Sequence, residues 1–241
     1  MRAFRRIFEN VSRVPTMQPA AILFDLDETL ADRAAAIEKY SRWFAADFEN
    51  ALHPCEPDEV HAAIVAADDF GTMRQAETLA ASALWRTAPN PIALFEHWTA
   101  RFGAAAVLFP DAKDLLEALR RRGVRMGVIT NGGSKMQRSK IAALGIEAYF
   151  ETIIVSSEVG LRKPDPAIFN LALGELQCAA AQCWFVGDDL EKDVQGSVAA
   201  GLRAFWFKSG SVEAESPAGT RLDSLVELLE HLNRSETGKG R

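Results

Sequence analysis

Ile22-Leu23-Phe24-Asp25-Leu26-Asp27-Glu28-Thr29-Leu30 is the stretch that decides the fold of this chain. An apolar run stops abruptly at two carboxylates spaced two apart, followed by a hydroxyl. A short apolar run of this kind reads as a strand buried on both faces, with Asp25 and Asp27 where it leaves the sheet. Two carboxylates held that close repel each other. A divalent cation between them, or a division of labour into nucleophile and proton shuttle, would explain the arrangement.

The same pattern recurs downstream. Val124–Ile129, Thr152–Val155, Cys183–Val186 and Ala204–Phe207 are short, apolar and bounded by Gly, Asp, Asn or Ser. Helical patterns lie between them at Ala112–Arg122, Ser134–Leu144, Pro166–Leu176 and Asp189–Ala200, and Leu222–Leu232 follows the last strand. Gly123, Gly145 and Gly201 stand where C-terminal caps belong. Strand–helix alternation predicts an α/β fold, a parallel sheet covered by helices. Residues 32–108 break the alternation. They hold no convincing strand, carry Ile37, Tyr40, Phe44 and Phe48 at helical spacing, and are cut by Pro and Gly into about four helices of the usual ~11 residues. The expected organisation is a catalytic core over 19–31 and 109–241, a helical cap over 32–108, and an N-terminal tail over 1–18. A long insertion at the active end of a strand suits a lid.

Bulk properties narrow the function. The chain has 241 residues and a formal net charge of −6, which gives no reason to expect a nucleic acid polymer or an anionic membrane surface as partner. No run approaches the roughly 20 apolar residues of a membrane span. Cys55, Cys178 and Cys183 form no CxxC pair and suggest a reducing, cytoplasmic setting. Residues 1–16 mix Arg2, Arg5, Arg6 and Arg13 with Phe4, Ile7, Phe8 and Val11. They read as a tail, an amphipathic leader, or sequence upstream of a start at Met17.

In an open parallel sheet, ligands bind beyond the carboxyl ends of the strands. Strand one delivers Asp25 and Asp27. The second delivers Thr130-Asn131-Gly132-Gly133. The loop after the third carries Gly160-Leu161-Arg162-Lys163-Pro164. The fourth ends in Gly187-Asp188-Asp189, with Asp193 five residues beyond Asp188. Carboxylates are Mg²⁺ ligands, Gly-flanked amides before a helix bind anions, and a lysine neutralises both. The set describes a site for a phosphate and a hard cation.

These four segments, in this order, resemble the motifs of the haloacid dehalogenase-like hydrolase superfamily. Asp25-Leu-Asp27-Glu-Thr29 is similar to its DxDxT motif, Thr130-Asn131-Gly132 to the second, Lys163-Pro164 to the third and Gly187-Asp188…Asp193 to the GDxxxxD fourth. The resemblance implies a Rossmann-like core with a helical cap between motifs one and two, and a Mg²⁺-dependent phosphatase acting on a small phosphorylated metabolite. It assigns Asp25 as nucleophile forming an aspartyl-phosphate, and Asp27 as acid and base. Lys163 would stabilise transition-state charge, and Thr130, the Asn131 amide and Lys163 would hold phosphate. Asp25, the Asp27 carbonyl and Asp188 would be metal ligands. Asp189 or Asp193 would complete the shell, or serve only as an acidic first helical turn with Glu191. The stretch Thr130–Phe169 is most similar to the pyrimidine 5′-nucleotidase and acylneuraminate 9-phosphatase branch, which supports a nucleotide or sugar phosphate as substrate. A phosphomutase would keep all four motifs. A 2-haloacid dehalogenase would not need Asp27. Monomer and homodimer are both compatible with this reading.

Other residues read as local. Thr29 suits a hydroxyl-to-backbone bond as well as a phosphate contact. Glu28, at a position where many relatives carry Gly, and Asp32 read as solvated loop charges. His53, His61, His97 and His231 show no metal spacing, and Cys178 and Cys183 read as packing residues. Arg33, Lys39, Arg42, Trp43, Arg74, Trp85 and Arg86 are the cap residues with the chemistry to meet a substrate.

Overall fold

A computed structural model describes residues 18–208 and 219–237. The N-terminal leader or tail expected over 1–16 lies outside them. Six parallel strands form one sheet: β1 (Ala21–Phe24), β2 (Arg125–Thr130), β3 (Thr152–Val155), β4 (Cys183–Gly187), β5 (Arg203–Phe207) and β6 (Thr220–Leu222). Their order is β3-β2-β1-β4-β5-β6. The helices of the core are α5 (Ala112–Arg121), α6 (Ser134–Leu144), α7 (Ser156–Val159), α8 (Pro166–Glu175), α9 (Gly196–Ala199) and α10 (Glu227–Thr237). Those between β1 and β2 are α1 (Arg33–Asp47), α2 (Pro57–Ala67), α3 (Met73–Ala80) and α4 (Pro91–Arg101).

The sequence builds this sheet by strict alternation in β1. Ile22 and Phe24 face one layer with Leu115, Leu116, Leu119 and Phe205, while Ala21 and Leu23 face the other with Ile129, Ile168, Phe169 and Phe185. All four β1 residues are fully buried. Sealing each large side chain is worth about 1.5–3 kcal/mol, so β1 anchors both layers at once. It pairs with β2 on one side and β4 on the other. The order in which strands are added reverses at this central strand, from β2 and β3 on one side to β4, β5 and β6 on the other, and the crevice beyond its carboxyl end is the expected ligand position of a doubly wound fold.

The strand and helix starts follow local chemistry. Asp165 caps α8 by accepting from the Ala167 N–H at 2.9 Å, with Pro166 at the first helical position. Gly145 closes α6 at φ 65°. Strand β6 was not expected; it is three residues long, contains Arg221, and pairs only with β5, so it carries no apolar run to read.

The segment between β1 and β2 has its own apolar interior of Ile37, Tyr40, Phe44, Ile64, Trp85, Leu94, Trp98 and Phe102. Phe102 stacks on Trp98 at 3.9 Å between centroids. The chain enters and leaves this helical unit side by side: Asp32 N–H donates to Val107 O and Phe109 N–H to Leu30 O, both at 2.9 Å. Two adjacent linkers of this kind tether the unit at one point above β1.

Candidate active site

Asp25 stands one residue beyond β1. Its N–H donates to Val186 O at 2.9 Å, which prolongs the β1–β4 ladder and fixes where the carboxylate departs. Lys163, 2% exposed, reaches it from the loop after α7. The Lys163 ammonium pairs with Asp25 and, at 2.6 Å, with Asp193 Oδ1. Asn131 presents that lysine: its Oδ1 accepts the Lys163 N–H at 3.0 Å and its Nδ2 donates to Lys163 O at 2.9 Å. Its side-chain amide is thereby committed to Lys163.

Asp193 arrives by an unexpected route. The helix expected over Asp189–Ala200 is instead a π-helical turn, Leu190–Gln195, running into the short α9. Val194 N–H reaches back five residues to Asp189 O at 3.2 Å. Wide turns of this type commonly mark functional sites. Here the turn carries Asp193 inward to 1% exposure, where its Oδ2 accepts the Asp189 N–H at 3.1 Å. Gly187 makes room, since a Cβ there would lie 2.5 Å from Asp193 Oδ2. Asp193 is therefore a buried site residue, not an exposed carboxylate soothing a helix dipole. Asp189 does act as a cap, accepting from Glu191 and Lys192 N–H at 3.0 and 2.8 Å. Asp188 is held through its carbonyl, which accepts from Trp206 Nε1 at 2.7 Å.

Asp25, Asp188 and Asp193 each bring a carboxylate oxygen within 4.8 Å of the others. Among the described residues, Lys163 is the one ammonium ion-paired with this cluster, through Asp25 and Asp193. Burial pushes the Asp25 carboxyl well above its usual range; Lys163 opposes this and Asp193 adds to it. Burial, then Asp193 and Glu28, pushes Asp188 up to about 7. Two uncompensated negative charges among hard oxygen donors are what a divalent cation such as Mg²⁺ fits. The cluster contains Asp193 and not the Asp27 side chain.

Asp27 lives differently. Burial alone would raise its carboxyl, but the Lys140 ammonium 2.6 Å from Oδ1 and the Gln137 amide 2.9 Å from Oδ2 hold it below the ordinary value. Gln137 also donates to Thr130 Oγ1 at 2.6 Å. Neither Gln137 nor Lys140 was singled out from the sequence. The available signal was their spacing: they lie three apart on the same face of α6 as Ile141, and all three are buried.

Three smaller expectations change. Thr29 is fully buried and its hydroxyl finds no partner among the described residues, so the local backbone bond is not made. Glu28 sits at φ 58° and accepts the Arg33 N–H at 3.1 Å, while Asp32 caps α1 through the Ala35 N–H at 2.9 Å; neither is a merely solvated charge. Among the cap candidates, Arg33 lines a small cavity with Asp27 and Lys140. Trp85 is buried in the helical unit, its Nε1 donating to Leu79 O, and Arg42 and Arg74 are spent on Glu38 and Asp69.

Comparison with known proteins agrees with this geometry. Residues 22–207 match the haloacid dehalogenase-like hydrolase family. A ribulose-1,5-bisphosphate 5-phosphatase of Halopiger xanaduensis is 32% identical over 87% of this chain and 98% of its own length. A phosphoserine phosphatase of Thermus thermophilus is 40% identical over 51% of this chain; the match spans half of that relative. The HAD-hydrolase YfnB from Bacillus subtilis, solved bound to magnesium, superposes with a TM-score of 0.70 at 22% identity, over 90% of this chain and 99% of that one, and so shares the fold. A switch-point crevice carrying all four motifs, together with a family match over most of the chain, leaves one conclusion: this protein belongs to the haloacid dehalogenase-like hydrolase family.

Proposed function

We propose that the chain is a Mg²⁺-dependent phosphatase that hydrolyses the phosphomonoester of a small metabolite, a nucleotide or sugar phosphate, through an aspartyl-phosphate. The observation that carries this reading is the excess of carboxylate beyond β1 and β4: buried Asp25 and Asp193 and half-buried Asp188 around one lysine. Asp25, Asp188 and Asp193, with the Asp27 carbonyl, would hold the cation, whose charge keeps Asp25 ionised and screens the phosphate. The relatives act on small phosphorylated molecules by name, which supports the substrate class.

Asp25 Oδ attacks phosphorus in line, and the bond to the ester oxygen breaks. Asp27, directed by Lys140 and Gln137, gives that oxygen its proton. Lys163 meets the charge that builds on the phosphoryl oxygens. The Thr130 hydroxyl and the Asn131 backbone N–H hold the same oxygens. In the second half, water attacks the phosphorus of the acyl phosphate while Asp27 takes its proton, and Asp25 is released.

The helical unit over 32–108 is proposed as the cap. It is tethered beside Asp27 and carries Arg33 into the cavity there. Arg33 is held by Asp68 at 2.6 Å and lies over Phe70 and Phe102. The test is phosphate release from p-nitrophenyl phosphate with Mg²⁺ and with EDTA. Metal-independent turnover, or full activity in Asp25→Asn, sinks the mechanism. Deleting the helical unit should spare small aryl phosphates and abolish discrimination among metabolites.

A further inference from the structure

Asp27 is gripped on both oxygens by a single helix. Lys140 Nζ lies 2.6 Å from Oδ1 and Gln137 Nε2 lies 2.9 Å from Oδ2. A carboxylate only accepts, so the Gln137 amide must turn its nitrogen toward Asp27, and its second N–H goes to Thr130 Oγ1 at 2.6 Å. The orientation of Gln137 is thus fixed from both sides. Gly132 is what lets it reach: a Cβ at 132 would lie 2.8 Å from the Gln137 side chain. Helix α6 is itself wedged, because Gly103 abuts it so closely that a Cβ there would sit 2.7 Å from Ser139.

Exposure separates the roles. The Asp27 side chain keeps 36% of its surface, whereas that of Lys140 keeps 8%. Both line the small cavity with Arg33, Ala36 and Phe102, but the Lys140 side chain is the more deeply buried of the two and its ammonium is paired with Asp27. A lysine placed there acts through Asp27. Each carboxylate oxygen has about two acceptor directions, so one on each stays free after the clasp is made. Contacts on both oxygens hold the short side chain in place and so fix the aim of the two directions that stay free. General acid catalysis is lost quickly when the donor is mis-aimed, since the proton must cross a hydrogen bond of about 2.6–3.2 Å.

We propose that Lys140 and Gln137 are positioning residues that fix the aim of the Asp27 carboxyl group at the leaving-group oxygen, and that Gln137 locks this aim to the phosphate-binding hydroxyl of Thr130. This rests on the assignment of Asp27 as the acid. The readout is the dependence of kcat/KM on the leaving group, because kcat/KM covers the steps up to its departure. p-Nitrophenolate leaves without much help. Phenolate, whose conjugate acid ionises near the tyrosine value of about 10, needs the proton.

Across p-nitrophenyl, p-chlorophenyl and phenyl phosphates with Mg²⁺, Lys140→Met should lose about ten- to thirty-fold more on phenyl than on p-nitrophenyl phosphate, within the range general acids supply. KM should change little. Gln137→Met should show the same steepening, and Lys140→Arg should restore most of the wild-type slope. A purely structural role would lower all three substrates in proportion, and that result overturns the proposal. If Lys140→Met does not fold, the slopes of Gln137→Met and Lys140→Arg decide alone. Asp27→Asn separates the two levels. If it leaves the slope unchanged, the assignment of Asp27 fails and the proposal with it. If it steepens the slope while both Gln137→Met and Lys140→Met do not, the proposal alone is overturned.

Discussion

Asp25 and Asp27 leave the same strand two residues apart and meet opposite electrostatic surroundings. On the Asp25 side, three carboxylates, two buried and one half-buried, crowd one ammonium, and burial drives the Asp25 carboxyl upward. On the Asp27 side, one half-exposed carboxylate is matched by one lysine and one amide, which together hold it below its ordinary value. The first side is short of positive charge and is complete only with a cation. The second is already balanced within the chain. In the metal-free chain both directions run against the proposed roles, so the cation has to hold Asp25 ionised for attack, and Asp27 has to take up a proton before it gives one, which leaves its aim as what the clasp supplies.

The largest effect should come from Asp25→Asn. Without the nucleophile, turnover should fall at least about 10⁴-fold, as losses of a nucleophile do elsewhere. The same variant should melt at a higher temperature than the wild type in EDTA at pH 8. It removes a carboxyl whose ionisation the fold opposes. A raised acid contributes stability below its unfolded value and loses it as pH rises, so the gain should vanish near pH 4. A melting temperature that drops at pH 8 would show that the Asp25 side is not starved of positive charge.

Asp27→Asn should behave in the opposite way. Turnover on phenyl phosphate should fall about 10²–10⁴-fold, the worth of a general acid and base. Stability should also fall, because buried Lys140 loses its charged partner. Breaking a fully buried pair costs about 3–5 kcal/mol; the exposure of Asp27 and the acceptor that Asn keeps reduce this to about 1–2 kcal/mol, or roughly 2–8 °C. Melting shifts of opposite sign for two aspartates two residues apart would sharpen the contrast. Shifts of the same sign would break it.

The parts of this contrast differ in how far the sequence reveals them. The Asp25 side is legible because its groups follow strands, and strands announce themselves by apolar runs that stop at Gly, Asp or Asn. Asp188, Thr130 and Lys163 are legible in that way. Asp193 was half legible: its spacing was visible, but a π-helical turn has no pattern distinct from an α-helix, so its inward direction was not. The Asp27 side is poorly legible. Gln137 and Lys140 sit inside a helix, where a polar residue on the buried face looks like any surface charge until the neighbouring strand is placed. Strand β6 and the capping roles of Glu28 and Asp32 were hidden for a related reason, since each depends on a partner and not on a run.

Metal and pH together give a smaller, more diagnostic effect. Asp188 is pushed up to about 7 from an ordinary 3.8. Its folded form holds the proton more tightly than the unfolded chain does, so its contribution is full below about pH 4 and is lost between there and pH 7. The metal-free protein should become less stable across that window. Saturating Mg²⁺ should therefore raise the melting temperature by several degrees more at pH 8 than at pH 5, since ligands that must be deprotonated bind cations better when they already are. Identical Mg²⁺ shifts at both values would place the cation away from Asp25, Asp188 and Asp193.

The smallest effect belongs to the outer face of the helix that carries Lys140. Arg138 and Ser134 lie on α6 and hold Glu158 from outside, with Arg138 Nη2 at 2.7 Å from Oε2 and Ser134 Oγ at 2.5 Å from Oε1. Arg138, then Ser134, draws the Glu158 carboxyl down to about 2. A lowered acid contributes stability above its ordinary value and loses it as pH falls toward the folded one. Yet Arg138 and Glu158 keep 41% and 29% of their side-chain surface, so water and salt screen most of that attraction. Glu158→Gln should cost no more than about 1 kcal/mol, a melting shift of roughly 2–4 °C at pH 7 that shrinks in high salt and disappears as pH falls to about 2. The leaving-group slope should stay at its wild-type value. Two ion pairs on one helix, similar in length and opposite in burial, would then differ in whether they touch the chemistry at all. A slope that steepens in Glu158→Gln would mean that α6 transmits its outer contacts to Asp27, and that the aim of the acid depends on the whole helix rather than on the two side chains that grip it.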